Sequence, residues 1–306
     1  YKGTANAIYQ NMNFIERYDP EYIVVLSGDH IYKMDYAEMV RRHKETQADC
    51  TIAVINVPPE ETSRFGIMST DADGRIVKFE EKPKKTDSTQ ASMGVYVFSK
   101  DKLFQYLEAD DRDPSSENDF GKNIIPHMLS AGERMFAYPF EGYWKDVGTI
   151  QSLWEANMDL LGDRPALDLR DESWRIFSRN YAEPPHFVGE NAVIGNALVT
   201  EGCEIYGSVV NSVISGGVVV EKGATVKDSV ILDGVRICEG AQVRYSILDA
   251  GTTVGRGACV GCERKNASGI TLVGGGLTLP ENAVIPDGVR ADAAYVAALE
   301  QAREAV

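Results

Sequence analysis

Basic residues are in short supply in this 306-residue chain: 31 Lys and Arg face 46 Asp and Glu, for a formal net charge of −15. Such a surface repels polyanions, which excludes nucleic-acid binding by bulk electrostatics and requires local cations for any small phosphorylated ligand. Long apolar runs are missing as well. Those at residues 22–26 and 218–220 fall far short of the roughly 20 residues a spanning helix needs. The opening Tyr1-Lys-Gly-Thr4 lacks a basic segment followed by an apolar one, so no signal peptide is predicted. Cysteine occurs five times, an odd number at no regular spacing, which argues against a disulfide framework and for a reducing, cytoplasmic compartment. Cys259 and Cys262 form a lone Cys-x-x-Cys without a second ligand pair, so zinc is not predicted.

What is present is the composition of a globular protein, 43% hydrophobic and 25% charged, long enough for two domains. The first half alternates strand-like and helix-like stretches, the pattern of a mostly parallel sheet covered by helices. Thr4 is predicted to cap a helix reaching about Tyr18, with Ile8, Met12 and Ile15 on one face. Tyr22 to Leu26 reads as a buried strand, and Asp35 caps the next helix. Further strands are predicted at 51–57, 75–79, 92–98 and 135–140, and helices near 101–108, 120–131 and 150–161. Sheets of this kind usually open with a strand and a glycine-rich loop, so the first domain reads as starting in the middle.

The second half is a repeat. Asn211-Ser-Val-Ile, Asp228-Ser-Val-Ile and Tyr245-Ser-Ile-Leu recur at a period of 17, each followed by a glycine at Gly217, Gly234 and Gly251. Within each repeat apolar residues return about every six positions, as at Ile231, Ile237 and Val243. Three short rungs per turn describe a prism of parallel strands with glycine at its corners. Residues 163–186, with three prolines, read as the connector, and a short helix from about Ala291 as a cap.

Candidate chemistry sits where strands give way to loops. Asp29, in Ser27-Gly28-Asp29, and Asp146 are placed to hold a metal ion or merely to cap a turn. Lys82 beside Glu81 suits a sugar phosphate, lysine on phosphate and carboxylate on hydroxyls, or forms a solvated cluster with Lys84 and Lys85. Gly94 in the Ser92-Met-Gly94 strand would permit close approach of a ligand. Gly3, Thr4 and Ala5 open a helix whose N-terminus suits a small anionic ligand. His30 is expected to order its loop, and Tyr143 and Trp144 to pack in the core.

Read in order, Gly3-Thr-Ala-Asn-Ala, Ser27-Gly-Asp-His-Ile-Tyr-Lys-Met-Asp-Tyr36, Arg64-Phe-Gly66, Phe79-Glu-Glu-Lys-Pro83, Ala91-Ser-Met-Gly-Val-Tyr96, Asp119-Phe-Gly-Lys122 and Trp144-Lys-Asp-Val-Gly-Thr149 closely resemble the motifs of bacterial glucose-1-phosphate adenylyltransferases. The resemblance implies an α/β, Rossmann-like nucleotidyltransferase domain (1–162, N-terminally incomplete), a linker (163–186) and a parallel left-handed β-helix of hexapeptide repeats (187–306). It further implies transfer of AMP from ATP to glucose 1-phosphate, the committed step of bacterial glycogen synthesis, with Mg²⁺ as cofactor. By that resemblance Asp29 and Asp146 hold the metal and, with Lys82, form the catalytic set. Glu81, Lys82, Ser92 and Gly94 contact the sugar phosphate, and Gly3, Thr4, Ala5 and Gly28 the nucleotide. Many members carry aspartate where this chain has Asn6, a departure that bears on nucleotide preference.

The family binds triphosphate through a glycine-rich loop that would precede residue 1, so a chain starting at Tyr1 is expected to be inactive alone. The family also implies a phosphorylated-metabolite effector and a homotetramer, or a heterotetramer with a related subunit, and neither membrane nor nucleic acid as partner. One rival is a nucleotidyltransferase for another sugar nucleotide, such as a uridylyltransferase with an acetyltransferase solenoid. Such a solenoid usually needs a histidine base, and His30, His43, His127 and His186 all precede the repeats. The other rival is a non-catalytic regulatory subunit, against which the retention of Asp29, Lys82 and Asp146 argues.

Overall fold

In the computed structural model, which describes residues 1–178 and 182–304, the chain divides into two units, Tyr1–Trp144 and Lys145–Val306. The first runs through α1 (Thr4–Tyr9), α2 (Met12–Glu16), β1 (Tyr22–Val25), β2 (His30–Tyr32), α3 (Tyr36–Glu45), β3 (Cys50–Asn56), β4 (Gly66–Thr70), β5 (Ile76–Glu81), β6 (Gln90–Ser99), α4 (Lys100–Asp111), α5 (Ile125–Ser130), β7 (Met135–Pro139) and the start of β8 (Trp144–Asp146). Its sheet has the order β5-β4-β6-β3-β7, with β1 also paired to β6.

The expectation of a mostly parallel sheet is corrected. Only β3 and β7 run parallel, whereas β6 is antiparallel to β1, β3 and β4, and β4 to β5. The first five residues of β3 are all buried because both faces are covered. Cys50, Ile52 and Val54 pack with Leu103, Leu107 and Met128 of α4 and α5, and Ala53 with Met39 of α3. Two-sided burial produces the continuous apolar run whatever the strand direction.

The single helix expected from Thr4 to Tyr18 is instead α1 and α2, broken at Gln10-Asn11, and Gly3 rather than Thr4 occupies the cap position. Nor is β1 a buried strand here: Val24 and Leu26 are exposed, and among the described residues β1 pairs with β6. Residues 120–131 form a π-helical turn, Phe120–Ile124, before α5. Asp35 caps α3 as expected, its Oδ1 accepting from the Ala37 amide at 2.9 Å.

In the second unit α6 (Ile150–Met158) precedes the connector and the solenoid. Residues 179–181 of the expected connector lie outside the described residues, and its described part holds no helix or strand. The solenoid strands pair in parallel at the period of the repeat, Ile214 with Ile231, Val220 with Ile237 with Val254, and Val226 with Val243 with Val260. Their side chains form one apolar core. The motif that announced the repeat has a physical reading. Asn211, Asp228 and Tyr245 adopt φ of +48°, +50° and +46° at one corner, and Gly217, Gly234 and Gly251 φ of +66° to +69° at another. The serines that follow the first corner are fully buried and form a ladder. Ser229 Oγ donates to the Lys227 carbonyl (2.7 Å) and accepts from the Ser246 amide of the next coil (3.2 Å). A hydroxyl at that place satisfies backbone groups that the turn leaves unpaired. After the last strand, α7 (Ala293–Glu304) sets Val296 and Leu299 against the core.

Candidate active site

Two clusters assemble in the first unit. In the first, β6 bulges: Ile52 pairs with Tyr96 but Val54 with Ser92, so that the ladder skips across Met93–Val95. The bulge pushes Gly94 against the Ser27–His30 loop. Gly94 has φ +65°, and a Cβ there would run into Ser27 Oγ. Only glycine meets both demands. Ser27 Oγ donates to the Gly94 carbonyl (3.3 Å), His30 Nδ1 bonds the Met93 carbonyl (2.7 Å), and the Trp144 ring stands edge-on to His30 at 5.3 Å. Asp29, its side chain 61% exposed, lies with Oδ1 3.7 Å from His30 Nε2. Gly28 is exposed, with open space around it. His30 orders the loop, as expected, and Trp144 packs with Phe65 and Ile55.

The second cluster surrounds Glu81. A Cβ on Gly121 would lie 2.5 Å from Glu81 Oε2, and one on Gly66 2.9 Å, so two glycines make the cradle for this carboxylate. Burial pushes the Glu81 carboxyl up, while Lys82 pulls the other way. Lys82 Nζ sits 3.7 Å from Glu81 Oε1 and is largely exposed. Its backbone takes φ +47°, with its amide on the Phe65 carbonyl at 3.0 Å. A lysine held in the left-handed region at a strand end is the kind of local strain that accompanies function.

The nucleotide-loop expectation needs one correction. The amides of Ala5 and Asn6 already bond the Asn118 carbonyl, at 2.9 and 3.4 Å, and Ala5 is fully buried. These donors are therefore not free to meet an anion. Thr4 Oγ1 donates to Asp119 Oδ2 (3.0 Å) and accepts from the Phe120 amide (3.1 Å). Asn118 and Asp119 thus tie the Gly3–Ala5 segment to the Asp119-Phe-Gly-Lys motif. Sequence reasoning missed that role, since a partner over a hundred residues away leaves no local signal. Gly66, against Glu81, and Tyr96, whose ring stacks on Phe120 at 5.5 Å, likewise have partners that leave no local signal in the sequence.

Asp146 ends β8 in the second unit and commits Oδ1 to the Gly148 amide at 2.8 Å. Asp29 and Asp146 both offer carboxylate oxygens, the hard donors that suit a divalent cation such as Mg²⁺. Among the described residues no helix is long and apolar enough to cross a membrane.

A bulged mixed sheet with an acidic and a basic side chain paired at the end of β5 is thus followed by a parallel solenoid. The family model described as Nucleotidyl transferase matches residues 1–162, and the chain belongs to that family. A second, GlmU-like, C-terminal hexapeptide, matches residues 184–279. The chain is 61% identical over 227 residues to a glucose-1-phosphate adenylyltransferase of Clostridium perfringens (strain SM101 / Type A), covering 74% of this chain and 58% of that protein. Proteins of the same name from Desulforamulus reducens (60% identity, 74% and 57% covered) and Clostridium kluyveri (58%, 74% and 59%) are similarly related. The chain thus spans a little under three-fifths of the length of these relatives.

Proposed function

We propose that the protein carrying these residues transfers AMP from ATP to glucose 1-phosphate, giving ADP-glucose and pyrophosphate for glycogen synthesis. A phosphate oxygen of the sugar phosphate attacks the α-phosphorus in line, and pyrophosphate leaves. The observation that carries this reading is the Met93–Val95 bulge held against the Ser27–His30 loop, which puts two of the family's motifs side by side. Lys82 places the nucleophilic phosphate, and Glu81, cradled by Gly66 and Gly121, takes the sugar hydroxyls. Ser92 and Gly94 line the sugar, and Gly3, Thr4 and Gly28 approach the nucleotide.

Asp29 and Asp146 would hold Mg²⁺, which supplies neutralisation of charge between the two phosphorylated reactants. Tetramer formation, a phosphorylated effector and a cytoplasmic location belong to the same proposal. Phe187, Val188 and Val193, exposed on the first strands of the solenoid, supply an apolar surface for association. The test is a panel of nucleoside triphosphates and sugar phosphates on the full-length protein, with and without Mg²⁺, alongside Asp29→Ala. Preference for ATP and glucose 1-phosphate, lost in the variant, is expected. Preference for another pair, or undiminished turnover in Asp29→Ala, refutes the reading.

A further inference from the structure

Tyr245 is the odd member of its corner. Asn196, Asn211 and Asp228 fill the preceding places at φ +46° to +50°, and two of their side-chain contacts stack from coil to coil, Asn196 Nδ2 on Asn211 Oδ1 and Asn211 Nδ2 on Asp228 Oδ1. Asn and Asp tolerate this region, whereas a bulky aromatic residue there is strained. What Tyr245 gains is a partner. Its ring stands edge-on to Trp154 of α6 at 5.0 Å. The Trp154 indole is buried against Val230, Ile247 and Ile270 and donates Nε1 to the Asp228 carbonyl at 2.8 Å.

The next irregularity serves the same helix. Ile247 pairs with Leu272 where Val230 pairs with Ile247, so this coil is longer than the one before it. The excess forms an excursion at 262–269, from which the Arg264 guanidinium lies over the Trp154 ring at 4.6 Å and near that of Tyr245 at 5.8 Å. The two departures from the repeat thus converge on one indole.

The same helix holds the segment that carries Asp146. Thr149 caps α6 in a reciprocal box with Ser152. Lys145, beside Asp146, bridges to Asp159 at 2.8 Å and to Glu155 at 3.4 Å. Asp146 itself is closed onto Gly148. We infer that Trp154, Tyr245 and Arg264 are positioning residues that fix Asp146 to the solenoid, so that the coil carrying the excursion sets where that carboxylate stands. The inference rests on the metal role proposed for Asp146.

The test measures Mn²⁺ binding, by electron paramagnetic resonance, to the 306-residue chain, to Tyr245→Asn and to Arg264→Ala. Tyr245→Asn restores the residue type used at the other corners and so keeps the coil folded, which thermal melting verifies. Mn²⁺ affinity is expected to fall about five- to tenfold in both variants, with altered tryptophan emission and the melting temperature held. Affinities within twofold of the parent overturn the inference. Asp29→Ala is run beside them: Mn²⁺ binding unchanged in that variant overturns the metal reading itself, whereas weakening there without weakening in Tyr245→Asn and Arg264→Ala overturns only the clamp.

Discussion

His43 gives the sharpest test of how the first unit is held together. It lies on α3, is 0% exposed, and uses both ring nitrogens, Nδ1 with Thr51 Oγ1 at 2.8 Å and Nε2 with Ser99 Oγ at 3.2 Å. Burial lowers its pKa to about 4, with Arg134 acting the same way and Asp49 opposing. An unfolded chain takes up the proton below its ordinary value near 6.5, whereas the folded chain does so only below about 4. The fold therefore keeps its full stability above pH 6.5 and loses it as the pH falls toward 4. The integrated loss is about 3 kcal/mol, of which about 2 kcal/mol is gone at pH 5. Replacing His43 by Gln keeps polar atoms for Thr51 and Ser99 and removes the titration. Urea unfolding is followed through the exposure of Cys50, a buried thiol on β3 beside Thr51, using a pyridyl disulfide that reacts at low pH and peptide-resolved mass spectrometry. Between pH 7.5 and 5 the parent should lose about 2 kcal/mol more than His43→Gln, since the carboxylates common to both cancel. Parallel losses in the two proteins would refute the assignment of a neutral buried imidazole.

Gly94→Ala should destabilise the first unit by about 1–3 kcal/mol in the same assay, because it imposes both a left-handed residue and a contact with Ser27 Oγ. In the solenoid, Ser229→Ala breaks the ladder between two coils and should lower stability by about 1–2 kcal/mol in chemical denaturation followed by circular dichroism. Asp35→Ala removes the cap of α3 and should cost about 1 kcal/mol, read as faster amide exchange in its first turn. Gly121→Ala displaces the Glu81 carboxylate, so steady-state kinetics of the full-length protein should show a KM for glucose 1-phosphate raised about tenfold with kcat less affected, a split expected of a binding contact.

The repeating half was legible because its physics is local. One corner needs a residue tolerant of positive φ, the next position needs a hydroxyl for its neighbour's amide, and each inward site needs an aliphatic group, so the pattern is written in every seventeen residues. The first half was legible in its elements, not in their directions. The apolar run of β3 reports burial on both faces and is silent on whether β6 beside it runs parallel or antiparallel. Likewise Gln10-Asn11 interrupts a helix whose apolar spacing continues through it, and Thr4, a good cap by type, spends its hydroxyl on Asp119. Asp29, Lys82 and Gly94 stand out as candidates because their motifs are contiguous in the sequence. Gly66, Asn118 and Trp154 do not, because each acts through a neighbour distant in sequence.

The excursion at 262–269 shows where such a molecule is free to change length. The chain leaves the stack at a corner, wanders, and returns in step, with Leu272 and Val273 seated beside Ile247 and Leu248 as if nothing had intervened. Lengthening or replacing that detour leaves the rungs above and below undisturbed, so a β-helix of this kind can acquire a new side arm without renegotiating its core.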